Sequence, residues 1–463
     1  MSKLAKAVKA NDNVTATENG AKAFKSTLND VLDFFYKAGA SRGKNLVGSF
    51  LAAFKEDADR AIRVALWTRD VRAGAGERQV YRDILKYLGQ NDYKLAVKLI
   101  PKTVELGRWD DLLSLYGTAA QEEAFNYIGK ALEAGDALAA KWMPRKGEVS
   151  VALRKHLGWT PKFYRKRLVE LTNVVETAMC AGNWTEIDYG KLPSIASARY
   201  QKAFGRHDQE GYGKYIQSLQ KGEAKINAAA IHPHEIVKSV MYGNSSVADQ
   251  QWKALPDWVQ DGNFIPMVDV SGSMMCAAGG NTKVSCMDVA IALGIYLSER
   301  CKGQFKDQMI TFHSNPSFVT LNGTLSQRVQ TARRAPWGMN TDIGKAFDLI
   351  LDAAVKSKLK EEDMPKTLII LSDMQFDQAT RPGKTNFKDF KQKYKKAGYE
   401  MPNIVFWNLN DRNGTVPVKA DASGAVLVSG FSPALMKSIV SGEDVTPLAM
   451  MDKIVMDDRY KIA

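Results

Sequence analysis

The sequence is short of the features that mark membrane, secreted or nucleotide-hydrolysing proteins. No run of about 18 apolar residues occurs, so no helical membrane span is expected. The amino terminus, MSKLAKAVKANDNVTATENGAKAF, lacks an apolar signal core and a cleavage site. Residues 1–24 therefore read as a flexible lead-in. Cysteine is scarce: Cys180, Cys276, Cys286 and Cys301 have neither zinc-ligand spacing nor the density of a disulfide scaffold. They are expected to be reduced thiols of a cytoplasmic protein. A phosphate-cradling loop is missing too, because GAGER lacks the Gly-Lys-Ser/Thr ending that such a loop needs.

What the chain has instead is an ordinary globular composition, 45% apolar and 25% charged, over 463 residues. That length exceeds what one core organises, so at least two domains are expected. The formal net charge is +13 and is unevenly placed. Residues 1–260 hold 39 Lys+Arg against 29 Asp+Glu, a net of +10, and residues 261–463 hold 25 against 22, a net of +3. A basic half beside a nearly neutral one suggests a polyanion partner for the first. Solubility alone is the competing explanation.

The halves also differ in pattern. Up to about residue 260, segments such as STLNDVLDFFYKAGA, EDADRAIRVALWTRDV, ERQVYRDILKYLGQ and DYKLAVKLIPKTVELG place apolar residues three and four apart. Helix follows helix with no alternating strand, as in stacked helix pairs. From residue 261 onward, apolar strands (FIPMVDV, KDQMITF, TLIIL, NIVFW, AVLVS) alternate with helical segments. That alternation predicts a mostly parallel sheet covered on both faces, with ligands at the carboxyl ends of the strands. The expected fold is an all-α, HEAT-like helical-repeat ring over residues 25–260, followed by an α/β doubly wound domain over 261–463.

Three stretches of the second half put oxygen-bearing side chains at strand ends or helix starts: Asp269, Ser271 and Ser273 in VDVSGS, Thr341 in GMNTDIGKAF, and Asp373 in LSDMQ. All would lie on one sheet edge. Hard divalent cations such as Mg2+ take such oxygen donors. The set Asp-x-Ser-x-Ser, a distant Thr and a later Asp resembles the metal-ion-dependent adhesion site of von Willebrand factor A domains over about residues 262–440. The one departure is Met374, where many members carry Gly directly after the Asp. The resemblance implies that the open position of the metal receives a carboxylate from a protein partner. No His lies in these loops, and His313 follows a strand expected to lie elsewhere. No enzyme is therefore expected, since metal-assisted hydrolysis needs a positioned base.

In the first half stand LWTRDVRAGAGERQVYRDIL, ELGRWDDLL, AAKWMPRK, CAGNWTEIDYGKLPSIASARYQKAFGRHD and INAAAIHPHEIV. With a following A domain, these resemble the TROVE family of Ro-type proteins from about residue 25 to 440. Ala73 and Ala75 stand where related sequences often have Gly and Lys. The resemblance implies a monomeric helical ring that closes against the A domain and binds small structured or misfolded RNA by its single-stranded ends.

The residues offer an independent argument for RNA. Residues 141–170 carry nine Lys+Arg against two Glu, with Trp142, Trp159, Phe163 and Tyr164 interleaved. Cations neutralise phosphates while aromatic planes stack on unpaired bases. The candidate RNA-binding residues are Lys141, Arg145, Lys146, Arg154, Lys155, Lys162, Arg165, Lys166 and Arg167, joined by Arg206 and His207. The alternative is that the aromatics are core and the cations a solvated face. For Arg69, Arg72, Arg78 and Arg108, pairing with the neighbouring Asp70, Glu77 and Asp110 competes with phosphate contact. Trp109 and Trp184 read as packing anchors, and His232 and His234 as part of a turn rather than a metal pair. A protein-interaction scaffold that uses the metal site without RNA is the second functional reading.

Overall fold

The computed structural model describes residues 12–172, 174–228, 231–241, 243, 245–259, 262–278, 281–313, 315–336, 338, 343–376, 387–439 and 445–462. Its strands are β1 (Val14–Ala16), β2 (Lys22–Phe24), β3 (Phe264–Asp269), β4 (Ala277–Ala278), β5 (Asn281–Ser285), β6 (Gln308–Phe312), β7 (Ser317–Thr320), β8 (Thr367–Ser372), β9 (Asn403–Asn408) and β10 (Ala425–Ser429).

Between β2 and β3 the described chain is helical. Its helices start where side-chain oxygens cap them: Asn29 accepts from Leu32 N, Asp57 from Arg60 N, Asp92 from Leu95 N and Thr160 from Phe163 N. Each cap satisfies a backbone donor that the first turn leaves open. The periodic apolar faces then pack: Phe34, Phe35, Phe50, Trp67, Leu66, Ile84 and Leu85 are all buried in one core. Residues between 175 and 247 build a smaller second cluster around Tyr189, Phe204 and Tyr212.

The second half forms a six-stranded sheet in the order β10-β9-β8-β3-β6-β7. β6 and β7 pair antiparallel at one edge, and the other neighbours run parallel. All six residues of β3 are buried, as are all five of β10. Only strands covered on both faces tolerate such unbroken apolar runs. The order of α-helical half and parallel α/β half agrees with the fold expected from the sequence. Two helices left unassigned there, Leu325–Arg334 and Pro447–Val455, complete the covering layers.

The amino-terminal segment departs from expectation. Residues 12–24 were expected to be flexible, but Val14–Ala16 and Lys22–Phe24 pair as a hairpin. Phe24 then bridges to Val416 of the α/β half. Short segments of low periodicity become ordered when a second surface accepts their backbone groups.

Both ends of the helical half rest on the α/β half, so the chain closes on itself. At the early end, Gly39 abuts β10, where a Cβ would lie 2.5 Å from the Ser429 carbonyl oxygen. Only glycine permits that approach. Arg60 pairs with Asp452 at 2.9 Å, and buried Asp70 accepts from Arg459 at 2.5 Å and from the Tyr460 hydroxyl at 3.0 Å. At the late end, Trp252 Nε1 donates to Glu299 at 2.6 Å and Tyr296 OH to the Pro256 carbonyl at 2.6 Å.

His232 and His234 lie at this junction. Their rings stack 5.4 Å apart, and His234 meets the Phe431 ring edge-on. Burial, and then the Arg42 guanidinium, push His232 down to about 3, while burial and then His232 hold His234 well below its ordinary value. A depressed folded-state value contributes stability that is present above the unfolded value and lost as pH falls below it. As pH falls below about 6.5, His234→Gln is expected to flatten the stability–pH slope by up to about 1.4 kcal/mol per pH unit. Urea unfolding of the chain and the variant across that window measures the difference.

Candidate functional site

Asp269 ends β3 and Ser372 ends β8, its parallel neighbour, so the two chain segments leave the sheet at the same edge. The loop after β3 turns at once: Ser271 N donates to Asp269 Oδ1 at 2.9 Å, and a short 3-10 helix, Gly272–Met275, follows. This turn brings Ser271 Oγ within 3.1 Å of Ser273 Oγ, and Ser273 Oγ within 3.4 Å of Asp373 Oδ1. Four of the five expected metal residues thus converge. Thr341 lies outside the described residues.

Ser372 is a member of this cluster that the sequence reading passed over. Its buried hydroxyl donates to Asp269 Oδ2 at 2.6 Å and accepts from Met374 N at 3.0 Å. The available signal was its place directly before Asp373 at the end of an apolar strand. Met374, the departure from the A-domain pattern, holds a φ of 63°. That left-handed conformation favours glycine and costs a branched or long residue on the order of 1–2 kcal/mol. It turns the chain so that Gln375 N reaches Asp373 Oδ1 at 3.3 Å.

Electrostatically the cluster holds two carboxyls in a dry place. Burial, and then the Asp373 carboxylate, push Asp269 up to about 7, and burial raises Asp373 also. Hydrogen bonds from Ser271 and Ser372 offset part of this for Asp269. Among the described residues, Asp373 Oδ2 is buried without a hydrogen-bond partner. Such an orphaned carboxylate oxygen, beside hydroxyls and a second carboxylate, fits the donor set of a hard divalent cation. Among the described residues, no group of three or more His, Cys, Asp or Glu converges.

Two neighbours modify the picture of this edge. The amino-terminal hairpin docks against it: Thr17 Oγ1 donates to the Phe376 carbonyl at 2.6 Å, and Asn19 Nδ2 to the Gln375 carbonyl at 2.7 Å. His313, taken from sequence as following a strand elsewhere, stands one residue past Phe312, which is the register partner of Asp269. It is buried, its Nε2 has no hydrogen-bond partner among the described residues, and its ring lies close against Gly338.

The candidate RNA residues divide into held and exposed cations. Arg167 donates to the Leu132 and Glu133 carbonyls at the carboxyl end of the helix Gln121–Glu133, at 3.4 and 3.5 Å. Arg145 reaches Thr172 Oγ1 at 3.2 Å, and Lys141 pairs with Glu176 at 3.6 Å. Lys146, Lys155, Lys162, Arg165 and Lys166 are exposed, and Arg154 is half-buried. Lys166 makes only an exposed pair with Glu170 at 3.7 Å. Arg206 and His207 are exposed in the last turn of Ser194–His207, where His207 stacks on Trp184 at 4.3 Å.

The interleaved aromatics divide likewise. Tyr164 is core and donates to the Pro144 carbonyl at 2.9 Å. Trp142 is covered by the Arg108 guanidinium at 3.7 Å, and Trp159 packs on Phe163 at 5.1 Å. Phe163 is 50% exposed on the same helix as Lys162, Arg165 and Lys166. The Arg-rich motif nearer the amino terminus is mostly paired internally: Arg69 with Asp111 at 2.6 Å, Arg82 with Asp110 at 2.8 Å and with Asp111 at 2.7 Å, and Arg108 with Asp110.

No described helix is long and apolar enough to cross a membrane. Residues 17–133 and 160–263 match a family model described as a domain of unknown function, DUF2828, and residues 263–459 match another, DUF7788. Among solved structures, the Ro (RSR) protein of Deinococcus radiodurans is similar at a TM-score of 0.46 and 15% identity, covering 93% of this chain and 100% of that one. The uncharacterized protein L728 of Acanthamoeba polyphaga mimivirus is 32% identical over 505 residues, 95% of this chain and 86% of that protein. At that identity and coverage, the chain belongs to the family of L728, with a DUF2828 region followed by a DUF7788 domain.

Proposed function

We propose that this protein binds RNA through exposed cations of its helical half and docks a protein partner at a divalent-metal site on its sheet edge. The observation that carries the RNA reading is the helix Pro161–Leu171, on which Lys162, Arg165, Lys166 and the half-exposed ring of Phe163 all reach solvent. Phosphates pair with the cations and an unpaired base stacks on the ring, which selects single-stranded ends or loops. The resemblance to TROVE proteins, read from the sequence motifs, points to the same substrate. Small non-coding or misfolded RNA fits that recognition, and the reading is non-catalytic. Sequencing the RNA that copurifies with the full chain tests it. No RNA association even at low salt would refute RNA binding and favour the protein-scaffold alternative.

At the sheet edge, Asp269, Ser271, Ser273 and Asp373 would hold the cation, with Mg2+ the natural candidate for an all-oxygen set. A bound cation would supply a positive point that attracts a partner's carboxylate. Ser372 orients Asp269 through its 2.6 Å hydrogen bond, and Met374 sets the turn that presents Asp373. Mg2+ at about a hundred times its Kd is expected to stabilise the chain by about 2.7 kcal/mol. Asp373→Ala is expected to abolish that shift in thermal unfolding. An equal Mg2+ response in both proteins would place the cation elsewhere.

A further inference from the structure

β4 and β5 form a hairpin immediately after the Ser271–Ser273 loop, and two cysteines face each other across its open end. The register pairs Ala277 with Ser285, and Cys286 N donates to the Cys276 carbonyl at 3.0 Å. Cys276 and Cys286 are thus the next cross-strand partners, with Sγ atoms 3.5 Å apart. Hydrogen-bonded antiparallel partners have Cα atoms about 5.5 Å apart. That separation lies inside the roughly 4.4–6.8 Å that a disulfide accepts. Closing the sulfurs to a bond of about 2.0 Å therefore needs side-chain adjustment and no rearrangement of the strands.

The environment separates this pair from the other two thiols. Cys276 is partly exposed while Cys286 is buried behind it. Asn410 Nδ2 donates to Cys276 Sγ at 3.3 Å, which holds that sulfur in place. Cys301 is buried and donates to the Phe264 carbonyl at 2.8 Å, and Cys180 is exposed on the helix Val175–Ala181 of the other half.

We infer that Cys276 and Cys286 form a reversible dithiol–disulfide couple that is oxidised by a hydroperoxide. The accessible Cys276 sulfur, as thiolate, attacks one peroxide oxygen. The O–O bond breaks, an S–O bond forms, and the departing oxygen leaves as water or alcohol after taking a proton. The Cys286 sulfur then attacks the resulting sulfenic acid, losing its proton. The S–O bond breaks, the S–S bond forms and a water leaves, so two thiols supply the two electrons that reduce one hydroperoxide. A small thiol reverses the bond by exchange. The closed bond would fasten the segment after Ser273 to Cys286, the first residue of the helix Cys286–Arg300.

The test uses the reduced full chain and hydrogen peroxide, followed by thiol alkylation and peptide mapping. The expected product is a Cys276–Cys286 cross-linked peptide lighter by two hydrogens, reversible with dithiothreitol, while Cys180 and Cys301 remain alkylatable. Cys286→Ser is expected to stop at a Cys276 sulfenic acid that dimedone traps, and Cys276→Ser to leave Cys286 reduced. Amide exchange over residues 273–278 is expected to slow in the oxidised chain. Unchanged alkylation of both cysteines after peroxide, or a cross-link only between separate chains, would overturn the couple. Unchanged exchange would overturn its hold on the loop.

Discussion

Replacing Lys162, Arg165 and Lys166 together with glutamate is expected to weaken binding of a single-stranded RNA by about a hundredfold. That factor corresponds to roughly 3 kcal/mol, with each lost charge-assisted phosphate contact contributing about 1 kcal/mol. Three fewer phosphate contacts should also lower the slope of log affinity against log salt concentration by about 2, because each single-strand contact contributes about 0.7. Fluorescence anisotropy with one labelled oligoribonucleotide across a salt series reads both quantities. These three positions are the clean ones to change. They are exposed, and the only ion pair they make among the described residues, Lys166 with Glu170, is solvent-exposed and adds little to folding. Arg167 is the wrong probe, since it holds the carbonyls of Leu132 and Glu133 and its loss would disturb helix packing as well. Unaltered affinity in the triple variant would remove the helix Pro161–Leu171 from the RNA surface.

Asp111→Ala is expected to cost about 3–5 kcal/mol of stability, the range for removing one partner of a buried ion pair. Asp111 is fully buried and accepts from Arg69 Nε at 2.6 Å, Arg82 Nε at 2.7 Å and Arg108 N at 2.8 Å. Arg69 is itself 1% exposed, so losing Asp111 leaves a buried cation with its charge uncompensated. The network ties the helix Ala58–Arg69 to the helix Gln79–Asn91 and to the 3-10 turn Trp109–Leu115, the frame of the early helical half. Urea unfolding measures the change, with Asp111→Asn expected to fall between the wild type and Ala because it keeps volume and loses charge. A loss of less than about 1 kcal/mol would mean the arginines find other acceptors, as exposed pairs do.

The oxygen cluster at the sheet edge was readable from sequence to the extent that it is local. Asp269, Ser271 and Ser273 follow an apolar strand by fixed offsets, and Asp373 follows another, so the parallel sheet alone puts them on one edge. Ser372 was not legible, because a serine inside an apolar run looks the same whether it faces a helix or a carboxylate. The docking of Thr17 and Asn19 beside Asp373 was not legible either, since it joins residues more than 350 positions apart. His313 was misplaced for the same reason: strand order, which makes β6 the neighbour of β3, is a long-range property.

The basic residues divide along the same line. By itself the sequence determined where charge concentrates, most of the helices and buried strands, and that oxygen donors end two of those strands. Periodicity and strand-end position need no partner from elsewhere in the chain. Only the tertiary structure decided that the Arg69–Arg108 motif is spent mostly on internal pairs, that Arg145 and Arg167 hold backbone and side-chain oxygens, and that Lys162, Arg165 and Lys166 stay exposed. It also decided that both ends of the helical half close on the α/β half, through Gly39 on β10 and Trp252 on Glu299. The reason is physical: whether a cation meets a phosphate or an aspartate depends on what packing brings within about 3 Å of it. Sequence distance says nothing about that.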